Sequence, residues 1–423
     1  MSMRMIIQMQ RKIRPAGIAC VLLVALSCSH RGVNYDIPAR SYHNVTTGLE
    51  RFIADHADKY REKHVAVVAN HSSVDRNFRH ITTLLREKGL VIDFVLAPEH
   101  GMFGYKNSYD SHRYDIDENK NLVEYHLHHF TKRTLNFLLQ VPDVVIFDIQ
   151  DLGMRCYTYV SSLQLVMDAL DGTGKELIVL DRPNPVSFLG VEGPGLDRRF
   201  YTRHIASFPA TLFYDMTPGE AARYYRGEYA KNVNLRVIPM TRYRRDLYFH
   251  ETSLPWVPPS PNLPTYKSAV LYTGLVLMEG INISLGRGTP NPFEMIGAPW
   301  IEPQAFCDGL ESLKLKNFRF RQVFFKPTFS TYQNRLCGGA QIYYTGGDFS
   351  PLEITYRIIR HLKASYPQFL WRQNKNGYTV DNLAGTDSFR KAINEGKSFE
   401  DYRKEISADI DMFKTRRSGY LLY

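Results

Sequence analysis

The chain has 423 residues, two to three times an ordinary domain length of about 150. Apolar residues make up 44% and charged residues 23%, which excludes a disordered chain, a collagen-like chain and a polytopic membrane protein. The net charge of +10 falls to +6 from Cys28 onward, because residues 1–27 hold four basic residues and no acid; beyond them Arg244-Arg245 and Arg416-Arg417 are only pairs, so no nucleic-acid-binding surface is expected.

The N-terminus reads as a secretion signal. Arg11, Lys12 and Arg14 precede the apolar run Ala16–Ser27, which is too short to span a bilayer as a mature helix. The run ends in Ala25-Leu26-Ser27-Cys28, a lipoprotein-type processing site, so residues 1–27 are expected to be removed and Cys28 lipidated. Residues 28–44 read as a tether. The expected location is the cell envelope on the periplasmic side, with the protein held to a membrane through Cys28. The five cysteines form no CxxC pair, so neither a zinc ribbon nor a disulfide-built scaffold is expected.

From about residue 45, short β-branched runs alternate with amphipathic segments. Val65–Asn70 predicts a strand. Arg76–Lys88 predicts a helix with Phe78, Ile81, Leu84 and Leu85 on one face. Strands are expected at Val91–Ala97, Asp143–Ile149, Glu176–Asp181 and Leu235–Met240, and helices at Thr131–Val141 and Tyr157–Leu170. Thr217-Pro218-Gly219-Glu220 is a capping box opening a helix to about Tyr229. Continuous apolar strands, each followed by a helix, indicate an α/β fold: a Rossmann-like, doubly wound, mostly parallel sheet over residues 45–253. No G-x-G-x-x-G follows the first strand, so no nicotinamide or flavin cofactor is expected, and none of another kind.

The proline-rich stretch Leu254–Thr265 cannot be helix or central strand and reads as a linker or a rigid cleft wall. Residues 254–423 read as a smaller α+β domain completing the cleft. It holds a glycine-rich segment Gly280–Trp300, strands near Arg319–Phe329 and Ala340–Thr345, and a helix Ile354–Tyr366.

In open α/β sheets ligands sit outside the carboxyl ends of the strands. The predicted strands deliver Asn70, His71 and Ser72 there, then Glu99 and His100, then Asp148, Gln150, Asp151 and Arg155, then Asp181, Arg182 and Asn184. Repeated acids, histidines and arginines at one edge indicate a site. Three chemistries fit. Glycoside hydrolysis needs two carboxylates, from Glu99, Asp148, Asp151 and Glu294. A divalent metal could be sought among His71, Glu99, His100, Asp148 and Asp151, but no motif supplies ligand spacing, so none is expected. Nucleophilic catalysis lacks a G-x-S-x-G elbow, and Cys156 is expected to pack in its helix. Gly286-Arg287-Gly288-Thr289 presents one Arg on a flexible loop, suited to a substrate carboxylate.

The segments LAPEHGMFG, VVIFDIQDLGMRCYTYVSSL, LDRPNP, VEGPGLD, LPWVPPSPNLPT, EGINISLGRGTPNPFEMIGAPW and GTDSFR, in this order, resemble the exo-β-N-acetylmuramidase family of NamZ type. The resemblance runs from about Gly48 to Tyr423. It implies a Rossmann-like domain, a smaller C-terminal domain, and release of N-acetylmuramic acid from the non-reducing end of peptidoglycan fragments. Glu99 matches the family's proposed catalytic glutamate. On this reading Glu99 is the general acid/base, with Asp151, otherwise Asp148 or Glu294, as the second carboxylate. Arg287 or Arg182 would hold the lactyl carboxylate. Tyr157 and Trp300 would stack on sugar, and Asn70, His71, His100, Arg155, Asn184 and Thr289 would bind the substrate. Tyr105–Val141 departs from the family pattern; His126, His128 and His129 within it read as a solvated loop bordering the cleft. That segment favours the rival readings, a catalytically silent muropeptide-binding lipoprotein or a metal-dependent hydrolase.

Overall fold

The computed structural model describes residues 42–106, 114–117 and 122–423. The signal segment, Cys28 and nearly all of the tether lie outside the described residues. Among those described, no helix is long and apolar enough to cross a membrane.

Seven strands form the main sheet: β1 (His64–Ala69), β2 (Val91–Ala97), β3 (Tyr114–Asp117), β4 (Leu122–His126), β5 (Val144–Asp148), β6 (Glu176–Leu180) and β7 (Asn234–Ile238). Their order is β3-β4-β2-β1-β5-β6-β7. All pairings are parallel except β3 with β4, which is antiparallel at the edge. The central strands are buried on both faces, as their unbroken apolar runs require. In β1, Val65, Val67 and Ala69 face one apolar cluster, with Leu84 and Leu85 of the helix Ile81–Glu87. Ala66 and Val68 face the other, with Leu163 and Val166 of the helix Tyr159–Leu170 and Ala221 of the helix Pro218–Glu228. That second cluster continues into a three-stranded antiparallel sheet of β8 (Met295–Ala298), β9 (Phe318–Phe325) and β10 (Cys337–Tyr344), in the order β8-β10-β9. The fold is thus a mostly parallel α/β sheet covered on both faces, with a smaller antiparallel region after it.

Local signals explain the boundaries. Thr217 accepts from the Glu220 amide while Glu220 reaches back to the Thr217 amide, with Pro218 in the first turn, as the capping box predicts. Three expectations are corrected. The helix expected from Arg76 begins at Ile81. Asp75 accepts from the amides of Asn77 and Arg79, which bends the chain into a turn where Phe78 is left-handed and exposed. Cys156 is buried in the turn before its helix, not within it. And His126 is no part of a solvated loop. The alternating run Leu122–His126 pairs with β2 and turns Leu122, Glu124 and His126 inward, leaving His126 1% exposed. His126 Nε2 donates to Asp115, which also takes Lys106 Nζ at 2.6 Å, and Glu124 accepts the Met102 amide at 2.8 Å. These bonds fasten the loop after β2 to its neighbouring strand.

Candidate active site

The chain runs outward from β1 to β2 and β4 on one side and to β5, β6 and β7 on the other. The topological switch point therefore lies at the carboxyl ends of β1 and β5, where Ala69 pairs with Asp148. The proline-rich segment lies across this edge. His71 Nε2 donates to the Pro258 carbonyl at 2.5 Å, the Tyr159 hydroxyl donates to the Pro259 carbonyl, and Ser260 Oγ meets His100 Nε2 at 3.0 Å. Of the two roles open to that stretch, it is a wall of the site.

After β2, His100 and Gly101 are both left-handed, with φ of 76° and 75°. A non-glycine residue there costs about 1–2 kcal/mol, and such strain concentrates at functional sites. The reversal leaves Glu99 partly exposed, its Oε2 accepting the Thr158 hydroxyl at 2.8 Å. Thr158 stands at the N-cap of the helix Tyr159–Leu170 but makes no capping bond. Beside Glu99 is a small recess of about 10 Å³, also lined by His128, Ser161, Ser162, Arg203 and His204. His100 is buried and held through both nitrogens. Nδ1–H donates to the Lys106 carbonyl at 2.7 Å, so Nε2 accepts from Ser260. Burial keeps both His71 and His100 below the ordinary histidine range, and the Arg287 charge acts in the same direction on His100. Both imidazoles are neutral at pH 7. Gly104 is at φ 67°, and a Cβ there would lie 2.1 Å from the His71 ring.

Three buried polar atoms at this edge have no hydrogen-bond partner among the described residues: His71 Nδ1, Asp151 Oδ1 and Asn262 Nδ2. Buried polar groups are normally paired, so this cluster is suited to the hydroxyls and amides of a ligand. Asp151 accepts the Gly153 amide at 2.9 Å and the Tyr214 hydroxyl through Oδ2. Burial pushes its carboxyl up to about 6, with those bonds opposing the shift. The charges of Glu99 and Asp151 both act on the Tyr159 hydroxyl, raising it well above the ordinary phenol range after the larger effect of burial.

The other expected site residues have settled partners. Asp148 is fully buried and takes Arg182 through two bonds, 2.5 and 2.8 Å, and Arg182 also donates to the Val74 carbonyl. Arg155, fully buried, donates to the carbonyls of Pro194, Ala210 and Ala384. Asn184 closes a turn onto the Val186 amide, and Thr289 closes one onto the Gly286 carbonyl. Glu294 pairs with Lys267 at 3.0 Å, and Trp300 donates to the Tyr332 hydroxyl and packs on Tyr366. Arg287 pairs with Glu279 at 3.1 Å, and its buried Nε has no partner among the described residues. Burial raises the Glu279 carboxyl, the Arg287 charge opposes this, and the Glu99 charge adds to it. The structure thus groups Glu99, His71, His100, Asn70, Asp151 and Tyr157 at one edge, with Arg287 in electrostatic reach. Of the expected site residues only Glu99 lines the recess itself; Asp151, Tyr157, Arg287, Arg155, Glu294 and Trp300 do not. Among the described residues no cluster of three or more His, Cys, Asp or Glu is disposed to hold a metal.

Sequence reasoning missed Thr158, Ser260 and Glu279. All three lie inside the quoted motifs, but their roles depend on contacts with residues 59, 160 and 8 positions away.

A carboxylate at the carboxyl edge of a covered parallel sheet, beside buried neutral histidines, is an arrangement suited to a glycosidase. Two family models match the chain, exo-β-N-acetylmuramidase NamZ N-terminal over residues 65–267 and C-terminal over residues 270–423. The chain belongs to this family. It is 34% identical to the peptidoglycan β-N-acetylmuramidase NamZ of Bacillus subtilis (strain 168), over 90% of this chain and 91% of that protein. Two crystal structures of DUF1343 family proteins from Bacteroides fragilis NCTC 9343 are similar at 28% identity. Each match covers 90% of this chain and 99% of the other, with TM-scores of 0.80 and 0.69.

Proposed function

We propose that the protein is an exo-acting β-N-acetylmuramidase, releasing N-acetylmuramic acid from the non-reducing end of peptidoglycan fragments. The observation that carries this is Glu99, held by Thr158 at the mouth of a recess beside the switch point in a chain of the NamZ family. Glu99 protonates the glycosidic oxygen as the bond to C1 breaks. A second carboxylate stabilises the oxocarbenium-like transition state or activates water. Asp151 suits that role: it is buried, with one oxygen unpaired among the described residues, and close enough to share its electrostatic influence with Glu99. Arg287 suits the lactyl carboxylate, since its Nε lacks a partner among the described residues and its bond to Glu279 leaves other donors on the fork. Incubating the protein with a disaccharide of N-acetylmuramic acid β-linked to N-acetylglucosamine tests the reading. Release of both sugars supports it; an intact disaccharide contradicts it.

We also propose a place in the cell envelope. The basic residues Arg11–Arg14, the apolar run Ala16–Ser27 and the adjoining Cys28 support export, processing and lipid anchoring on the periplasmic side.

A further inference from the structure

A second hollow lies next to the recess at Glu99. It is a groove of about 410 Å³, within the range of ligand-sized clefts. The helix Tyr159–Leu170 serves both: Ser161, Ser162 and Leu165 line the recess, and Gln164 lines the groove. The segment Arg198–Thr211 also serves both, with Arg203 and His204 on the recess and Tyr201 and Ser207 on the groove. A single hydrogen bond, Ser207 Oγ to Ser161 Oγ at 2.9 Å, joins a groove residue to a recess residue across the shared wall.

The groove's lining has the features of a saccharide site. Tyr201 and Tyr229 are about half exposed there, and Tyr229 stacks on Tyr225 with ring centres 5.3 Å apart, which gives it a fixed orientation. Such rings cover the apolar face of a sugar. Gln164 is 7% exposed and its Oε1 has no partner among the described residues, which suits it to a donor such as a hydroxyl or an acetamido N–H that reaches the groove floor. Arg198 and Arg416 flank the groove, while Asp409 is occupied by the Gly195 amide. The lining therefore matches hydroxyls, an acetamido group and a carboxylate on one ligand.

We propose that this groove binds the leaving-group side of the glycan, the sugars beyond the cleaved bond, with the arginines toward the lactyl or peptide carboxylate of a downstream muramic residue. The inference rests on the muramidase reading of Glu99. An exo-acting enzyme must seat the rest of the chain beyond the cleaved bond, and the groove is the larger hollow on the same two segments that carry the recess at Glu99.

The test uses Tyr201→Ala and Tyr229→Ala, single and combined, in the full chain. Two quantities are read: the Kd of a peptidoglycan tetrasaccharide with a muramic acid non-reducing end, measured in the Glu99→Gln background, and kcat/KM on an aryl N-acetylmuramide, which has no downstream sugars. Loss of a stacked ring is expected to weaken tetrasaccharide binding about tenfold, with the aryl substrate turned over as before. Unchanged tetrasaccharide affinity overturns the proposal. So does an equal loss on both substrates, which would mean a disturbed fold or recess. If the unmodified protein hydrolyses neither substrate, the muramidase reading fails, while tyrosine-dependent tetrasaccharide binding would still support the groove.

Discussion

Thr158 Oγ1 donates to Glu99 Oε2 at 2.8 Å, joining the start of the helix Tyr159–Leu170 to the turn after β2. This one bond links two elements that flank the recess and orients the carboxyl assigned to proton transfer. Thr158→Val removes the donor while nearly keeping the shape. It should lower kcat on a natural disaccharide by about tenfold, the loss of one orienting hydrogen bond, and leave KM within about twofold. A proportional rise in KM with unchanged kcat would place Thr158 in substrate binding instead.

The two arginines considered for the lactyl carboxylate should behave differently. Arg182 is clamped to the fully buried Asp148, so Arg182→Ala leaves a buried charge unpaired and should cost about 3–5 kcal/mol of stability. Arg287 sits at the surface of the site beside Glu279. Arg287→Ala should fold and should lose much of the preference for the muramide over the glucosaminide, chiefly through KM. Thermal melting and kcat/KM on both sugars separate the cases. A stable Arg182→Ala variant, or an undiminished preference in Arg287→Ala, would count against this division.

The positions of the central strands were legible in the sequence because each is an unbroken apolar run, and the Thr217 capping box marked the start of its helix. β3 and β4 were not, because four or five alternating residues beside three histidines resemble an exposed loop until β2 is seen to pair with them. Glu99, His71, His100 and Asp151 could be found because strand ends deliver them to one edge. The pairing of Arg182 with Asp148 could not, since it joins residues 34 apart across neighbouring strands. Nor could the settled contacts of Arg155, Glu294 and Trp300, which tertiary packing decides.

Asp151 should leave a mark on the pH dependence of stability. Its carboxyl ionises near pH 4 in the unfolded chain and near 6 in the folded one. Between those values the folded state holds the extra proton, so stability falls as pH rises, by about 3 kcal/mol in all. Asp151→Asn should reduce the slope by that amount, leaving the part due to Asp181, whose carboxyl burial raises to about 7, while losing catalysis. Urea unfolding at pH 4, 5, 6 and 7 checks it; equal slopes in the two proteins would show that Asp151 is not the group responsible.

Gly104 has no room for a side chain. Gly104→Ala would put a left-handed Cβ 2.1 Å from the His71 ring. The backbone penalty alone is about 1–2 kcal/mol, and the displaced ring would lose the Pro258 carbonyl. A lowered melting temperature with a disproportionate loss of kcat/KM is expected. Wild-type melting and activity would mean that His71 needs no fixed position.

Cys28→Ala should abolish incorporation of a clickable palmitate and leave the precursor unprocessed or released from membranes. Unlabelled, freely soluble wild-type protein would contradict the lipoprotein reading.

The most direct test of the central claim is the rate of Glu99→Gln on two substrates, with folding followed by circular dichroism. A natural disaccharide must have its leaving oxygen protonated, whereas a nitrophenolate leaves without that help. The account predicts a fall of about 10²–10⁴ in kcat on the disaccharide, a smaller fall on the nitrophenyl muramide, and an unchanged melting curve. A well-folded Glu99→Gln protein that cleaves the disaccharide at near the wild-type rate would contradict it.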